Sequence, residues 1–180
     1  VRALLVYLTQ AIIARVLAHA RFFGMPAPPS TMWFADDSLA LLSVRMAREF
    51  MLPVYRTLKA GITTAERIKV HLCGNAYRHF AWLKDELGVN DFETGFPIDH
   101  GRMRRELGPE VTIHGGPTVM LLRDGSAAAV TAETQRILDS GVCAGGRFVL
   151  REANNLAPHT PPENLSAMYE TARAWRGCTD

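Results

Sequence analysis

The chain has 180 residues, 48% of them hydrophobic and 21% charged, with a formal net charge of +2. That length is ordinarily one domain able to bury a core, and so small a net charge gives no footing for nucleic acid or an acidic surface as partner. Three cysteines are too few, and odd in number, for a disulfide framework, and they fit a reducing, cytoplasmic setting.

The pattern predicts a first helix over residues 1–23, apolar nearly all round, as in helices buried on several sides. Its most apolar part, Ala3 to Ala14, is cut off by Arg15, which is too short for a membrane span. It lacks the basic start and cleavage site of a signal peptide. A first residue of Val rather than Met suggests a fragment or a processed chain. Gly24 and the cluster Pro26-Ala27-Pro28-Pro29 end the helix. Thr31 to Ala35 reads as a strand running into Asp36-Asp37, and Leu39 to Leu58 as a long helix kinked or broken at Pro53.

Four further units repeat the alternation. Strand Ile68 to His71 leads to helix Ala76 to Leu87, and strand Asp91 to Phe96 to helix Asp99 to Leu107. Strand Val111 to His114 leads to helix Ala127 to Leu138, and strand Arg147 to Arg151 to helix Pro162 to Trp175. Gly88, Gly108 and Gly141 stand where helix C-caps belong. In the last helix Thr160 reads as N-cap, Pro162 as N1 and Glu163 as a first-turn acid. Arg102, Arg104 and Arg105 read as the solvated face of a short helix, and Trp33, Trp82 and Trp175 as packing residues. Five βα units in a row predict an α/β protein with a parallel sheet. A doubly wound sheet and part of a (β/α)8 barrel both fit. No strand is followed by a dinucleotide fingerprint, since Gly145-Gly146 precedes a strand.

His71-Leu72-Cys73-Gly74 carries the most chemistry. Residues two apart on a strand point the same way, so an imidazole and a thiol stand side by side, as in half of a zinc site. The plainer alternative is a small buried cysteine beside a hydrogen-bonded histidine. Other polar residues gather at strand C-ends: Asp36, Asp37, Glu93, His114, Glu152 and Asn154. In a barrel those ends meet at one mouth, where the chemistry sits. Either aspartate could be a ligand, a general base or a helix cap. His114 precedes Gly115-Gly116, where glycines permit close backbone approach to a ligand. Asn154 and Asn155 could bond a substrate or shape a turn.

Several motifs together resemble the uroporphyrinogen decarboxylase superfamily. These are His71-x-Cys73-Gly74-Asn75, Glu86-Leu87-Gly88-Val89, Ile98-Asp99-His100, Arg105-Glu106-Leu107-Gly108, Val111 to Pro117, and Leu156 to Asn164. Upstream, Leu42-Ser43, Glu49-Phe50 and Leu52-Pro53 fit the same pattern, and the likeness runs from about Met32 to Trp175.

The resemblance implies a (β/α)8 TIM barrel roughly twice this length. Residues 1–180 would be a single, N-terminally truncated domain holding about five C-terminal βα units with parallel strands. Two activities come with it. Decarboxylases of tetrapyrrole (porphyrin) biosynthesis work without metal or cofactor. Their relatives transfer methyl groups between corrinoid (cobalamin) proteins and thiols, using zinc held by His-x-Cys and a further Cys on the last strand. His71 and Cys73 match the first pair and favour the methyltransferase branch. Asn154 stands where methyltransferases have Cys and decarboxylases have His, so a third ligand has to come from Asp36, Asp37, Glu93 or Glu152. Cys143 precedes its strand and belongs to the opposite end. The expected site has His71 and Cys73 as metal ligands, Asp36, His114 and Asn154 as catalytic residues, and Asn155, Gly115 and Gly116 against cofactor or substrate. The expected partners are a small-molecule substrate and a corrinoid protein, with neither nucleic acid nor membrane, and with self-association open. The alternatives are a decarboxylase and a degenerate, non-catalytic barrel part.

Overall fold

The computed structural model describes residues 1–26 and 31–177. Its strands are β1 (Met32–Ala35), β2 (Ile68–Leu72), β3 (Asp91–Thr94), β4 (Thr112–Gly115) and β5 (Phe148–Leu150). All neighbours are parallel, and the order in the sheet is the order in the chain. A doubly wound sheet reverses its strand order at a switch point. This one does not, and the five strands form an arc of a (β/α) barrel.

The helices are α1 (Arg2–Phe22), α2 (Val44–Met46), α3 (Leu52–Ile62), α4 (Phe80–Trp82), α5 (His100–Leu107), α6 (Val119–Asp124), α7 (Ala127–Ile137) and α8 (Pro162–Ala174). A 3₁₀ turn, Asp37–Leu41, follows β1, and a π-helical turn, Ala47–Met51, joins α2 to α3. Pro53 lies in the first turn of α3, where a missing N–H is harmless, so the helical run 44–62 continues past it. Helix α6 was not foreseen. Ser43, Asp99, Thr118 and Ser126 cap helices by accepting from a backbone N–H three residues on. Gly88 ends the turn after α4 with φ of 79°, a conformation that favours glycine. Thr160 does not cap α8; its hydroxyl donates back to the Ala157 carbonyl, 2.8 Å away. Most of the expected proline cluster after α1, residues 27–29, lies outside the described residues, as does Cys178.

Alternation divides the sheet into two faces. Ile68, Val70, Leu72, Phe92 and Ile113 are fully buried against the helices. The other, inner face carries Lys69, His71, Asp91, Glu93, Thr112 and His114, aligned across β2, β3 and β4 by the strand register. At its edge Trp33 is 61% exposed, so it is not the packing residue expected; Trp82 is, at 6%.

Two buried polar groups correct or extend the sequence expectations. Arg104 is not on a solvated face: it is 3% exposed. Its guanidinium donates to the carbonyls of Gly108, Val111, Val142 and Arg147 at 2.6–2.9 Å, tying the end of α5 to the approaches of β4 and β5. His100, at the start of α5, lies 5% exposed behind the sheet, and among the described residues neither of its ring nitrogens has a hydrogen-bond partner. Burial, with Arg136 nearby, pushes its pKa down to about 4.

Helix α1 also corrects an expectation. It spans nearly the residues expected, but its 21 residues are long and apolar enough to cross a membrane by length and composition, where too short a stretch was expected. It lies along α3 with Thr9 and Ala20 buried and most of its surface open, not buried on several sides. Ile13 sits on Gly61, where a Cβ would come within 2.6 Å of Ile13 Cδ1.

Arg104→Leu leaves four carbonyls without their donor and is expected to cost about 3 kcal/mol or more, whereas exposed Arg105→Leu changes stability by less than about 0.5 kcal/mol, both read from denaturant unfolding. The unfolded chain protonates His100 more readily than the folded one, so its contribution is intact above pH ~6.5 and is lost as the pH falls toward 4. The loss amounts to about 3 kcal/mol, and His100→Gln should flatten that part of the stability–pH curve.

Candidate metal centre

The site forms where the ends of β1 and β2 run side by side. The Asp36 N–H donates to the His71 carbonyl at 3.2 Å, extending the ladder by one residue before the chain turns. The two aspartates then part. Asp36 accepts from the Tyr55 hydroxyl at 2.5 Å and from the Ser38 hydroxyl. Asp37 Oδ1 accepts the Cys73 N–H at 2.7 Å and stands 3.8 Å from His71 Nε2. Cys73 Sγ is 3.1 Å from the same nitrogen. Asp37, His71 and Cys73 thus bring one oxygen, one nitrogen and one sulfur within 4.8 Å of one another.

This donor set fits a small divalent metal ion. Tetrahedral bonds of ~2.0–2.3 Å put neighbouring ligand atoms roughly 3.3–3.8 Å apart. The His71 Nδ1 lies 3.1 Å from Glu93 Oε1. A proton on Nδ1, donated to Glu93, leaves the Nε2 lone pair facing Cys73 and Asp37, the carboxylate–histidine arrangement that holds a metal-binding imidazole in place. Burial, then Asp37 and Glu93, push the Cys73 thiol up to about 11, so without a cation it stays protonated at neutral pH. Gly95 belongs to the site as well: a Cβ there would come within 2.9 Å of Cys73 Sγ.

Glu93 also binds the Lys69 ammonium at 2.7 Å and the Arg151 guanidinium at 2.8 Å. Burial alone would raise its pKa, and the two cations more than offset this and hold it below its ordinary value. Arg151 reaches Glu152 too, at 2.7 Å. On the same face His114 Nε2 pairs with Asp91 Oδ1 at 2.9 Å, and Arg67 binds the other Asp91 oxygen at 2.6 Å.

The structure therefore gathers Asp37, His71 and Cys73, with Glu93 behind the imidazole. Asp36 points away, toward Tyr55. Glu152 is tied to Arg151, and Asn154 and Asn155 lie in the loop that follows β5. Gly115 and Gly116 do permit close approach, but to protein: added Cβ atoms would come within 2.3 Å of His100 Nε2 and 2.0 Å of the Arg151 carbonyl oxygen. Cys143 lies ahead of β5, beside the hydrophobic core and at the opposite end from Cys73. Sequence reasoning missed Tyr55, Gly95, Lys69 and Arg151. The alternation of β2 against β3 could have found Lys69; nothing local marks Tyr55 or Gly95.

A candidate metal-binding group at the C-terminal rim of a parallel arc of strands fits the class of (β/α)-barrel proteins, a fold in which chemistry sits at the strand ends. The family model described as uroporphyrinogen decarboxylase (URO-D) matches residues 3–175, and the chain belongs to that family. The match takes in α1, which the sequence resemblance did not reach. A curated uroporphyrinogen decarboxylase of Dechloromonas aromatica (strain RCB) is 28% identical over 97 residues, covering 52% of this chain and 26% of the relative. A solved methyltransferase from Methanosarcina mazei superposes with a TM-score of 0.68 at 20% identity, over 92% of this chain and 46% of that one. The chain thus spans about a quarter of the curated relative and just under half of the solved one.

In metal-stripped protein, iodoacetamide modification of Cys73, followed by peptide mass mapping, should keep rising about tenfold per pH unit to beyond pH ~9. A bend near pH ~8.5 with a plateau by about pH 9.5 would mean that the thiol titrates as an ordinary cysteine.

Proposed function

We propose that this chain carries the metal-binding half of a methyltransferase of the uroporphyrinogen decarboxylase family, in which Asp37, His71 and Cys73 hold zinc and the methyl group passes between a corrinoid protein and a thiol. The observation that carries this reading is the convergence of a carboxylate, an imidazole and a thiol on one point. Zinc bound there would supply a Lewis acid that keeps a substrate thiol ionised near neutral pH. Asp37 supplies the third ligand that Asn154, beyond the end of β5, does not. Glu93 holds the proton on His71 Nδ1 and fixes the ring plane, while Lys69 and Arg151 keep Glu93 ionised. His114, on the inner face and 2.9 Å from Asp91, is a catalytic residue in this reading. The setting in this reading is cytoplasmic.

A second reading, a tetrapyrrole decarboxylase, draws on the 28% identity to a curated decarboxylase and needs no metal.

Zinc content of folded protein separates the two. The expected result is near-stoichiometric zinc, lost in His71→Ala and Cys73→Ser, weakened in Asp37→Ala and unchanged in Asn154→Ala. Glu93→Gln should weaken zinc binding by roughly 10–100-fold. Folded protein that takes up no zinc would sink the methyltransferase reading and favour the decarboxylase. With zinc bound, methylcobalamin and a small thiol test methyl transfer directly.

A further inference from the structure

Asp37 is carried by a different segment from its fellow donors. His71 lies on β2 and Cys73 directly after it, whereas Asp37 opens the 3₁₀ turn that follows β1. Its side chain is 58% exposed, against 15% for His71. An exposed carboxylate on a turn has conformational freedom to lose, so the turn itself must be held if Asp37 is to meet the other two.

The turn is held at both ends. At its start the Asp36 carboxylate accepts from the Tyr55 hydroxyl at 2.5 Å. At its far end the grip comes from a short 3₁₀ turn, Tyr77–His79, which precedes α4. The Arg78 guanidinium donates from Nη2 to the Ala40 carbonyl and from Nε to the Leu42 carbonyl, the latter at 3.1 Å. Its third nitrogen, Nη1, donates at 2.7 Å to the carbonyl of Asn75, two residues after Cys73. One planar cation thus ties the loop bearing Asp37 to the loop bearing Cys73. His79 adds to the grip. The Trp82 indole N–H donates to His79 Nδ1 at 3.1 Å, so the ring proton sits on Nε2 and is donated to the Leu42 carbonyl, also at 3.1 Å. The two loops meet again at Gly74, where a Cβ would stand 3.3 Å from Ala40 Cβ.

From this we propose that Arg78 is a positioning residue for the metal centre: through backbone carbonyls it bridges the two loops and sets Asp37 at the distance from His71 and Cys73 that a shared ion requires. The inference rests on the metal reading of those three residues given above. A guanidinium suits the task because its donors lie fixed in one plane and engage three carbonyls together, whereas an ammonium is a compact point charge. Each carbonyl that Arg78 engages belongs to a loop or turn outside the strands, so its loss loosens the loops and leaves the sheet as it is. The bond from the Cys73 amide to Asp37 Oδ1, at 2.7 Å, is the local measure of that placement, with or without a metal.

The test is a double-mutant cycle on cobalt(II) binding, followed by the thiolate-to-cobalt absorption band. Arg78→Ala should weaken cobalt binding by about tenfold or more when Asp37 is present. In an Asp37→Ala background it should change affinity by less than about twofold, because the ligand it positions is gone. Arg78→Lys, which keeps the charge and loses the fork, should recover little. In metal-free protein Arg78→Ala should speed amide exchange at Cys73 by about tenfold. The Gly95 amide, which donates to the Leu72 carbonyl at 3.1 Å, should stay unchanged and report that the sheet is intact. Equal losses in both backgrounds would mark a general structural role and overturn the inference. So would undiminished cobalt affinity in Arg78→Ala, full recovery by lysine, or an unchanged Cys73 amide. Folded wild-type protein that binds no cobalt would instead sink the metal reading, and Cys73 exchange would then decide alone whether Arg78 places Asp37.

Discussion

The polar face of this sheet is organised around one carboxylate. Glu93 sits on the central strand and meets the Lys69 ammonium, the His71 imidazole and the Arg151 guanidinium at 2.7–3.1 Å. Half-buried charges are tolerable only when matched, and no other acid on this face binds so many partners. Without Glu93, Lys69 would lose its carboxylate, Arg151 would keep only Glu152, and the imidazole would lose the acceptor on its Nδ1 side. The opposite face of the sheet does different work, carrying the fully buried side chains that hold the helices. Stability and chemistry are thereby assigned to alternate residues of the same short strands, which is how a three- to five-residue strand can serve both.

Much of the fold was legible because period-two alternation and glycine punctuation are local signals. Every expected strand lies within two residues of an observed one at each end. The barrel order, by contrast, came from strand pairing, and in the sequence it rested on resemblance. The errors share a cause. Arg104 looked like a surface arginine because its neighbours are; it is buried because four carbonyls from separate segments converge on it. What crowds Gly115 and Gly116, the His100 ring and the Arg151 carbonyl, was equally hidden from the sequence. Each depends on a partner distant in sequence.

The paired aspartates show the same limit at the site itself. Asp36 and Asp37 are equivalent in composition and one bond apart in direction. Tyr55, from a helix well downstream, claims Asp36, and the Cys73 amide claims Asp37. A departure from the family pattern at Asn154 was visible in the sequence. Asp37, the acid that stands beside His71 and Cys73, was visible only as one of four candidates, because choosing among them requires knowing which way a turn faces.

The position of Asp37 has a mechanical consequence. Its fellow donors sit on β2, while Asp37 hangs from the end of β1, the outermost strand of the sheet. A cation shared by the three would rivet that outer strand to its neighbour, and part of its binding energy would appear as resistance of the sheet margin to fraying. Loss of the ion would then do more than silence a reaction. It would loosen the strand whose unpaired backbone is most open to adventitious pairing, so metal starvation and aggregation would rise together.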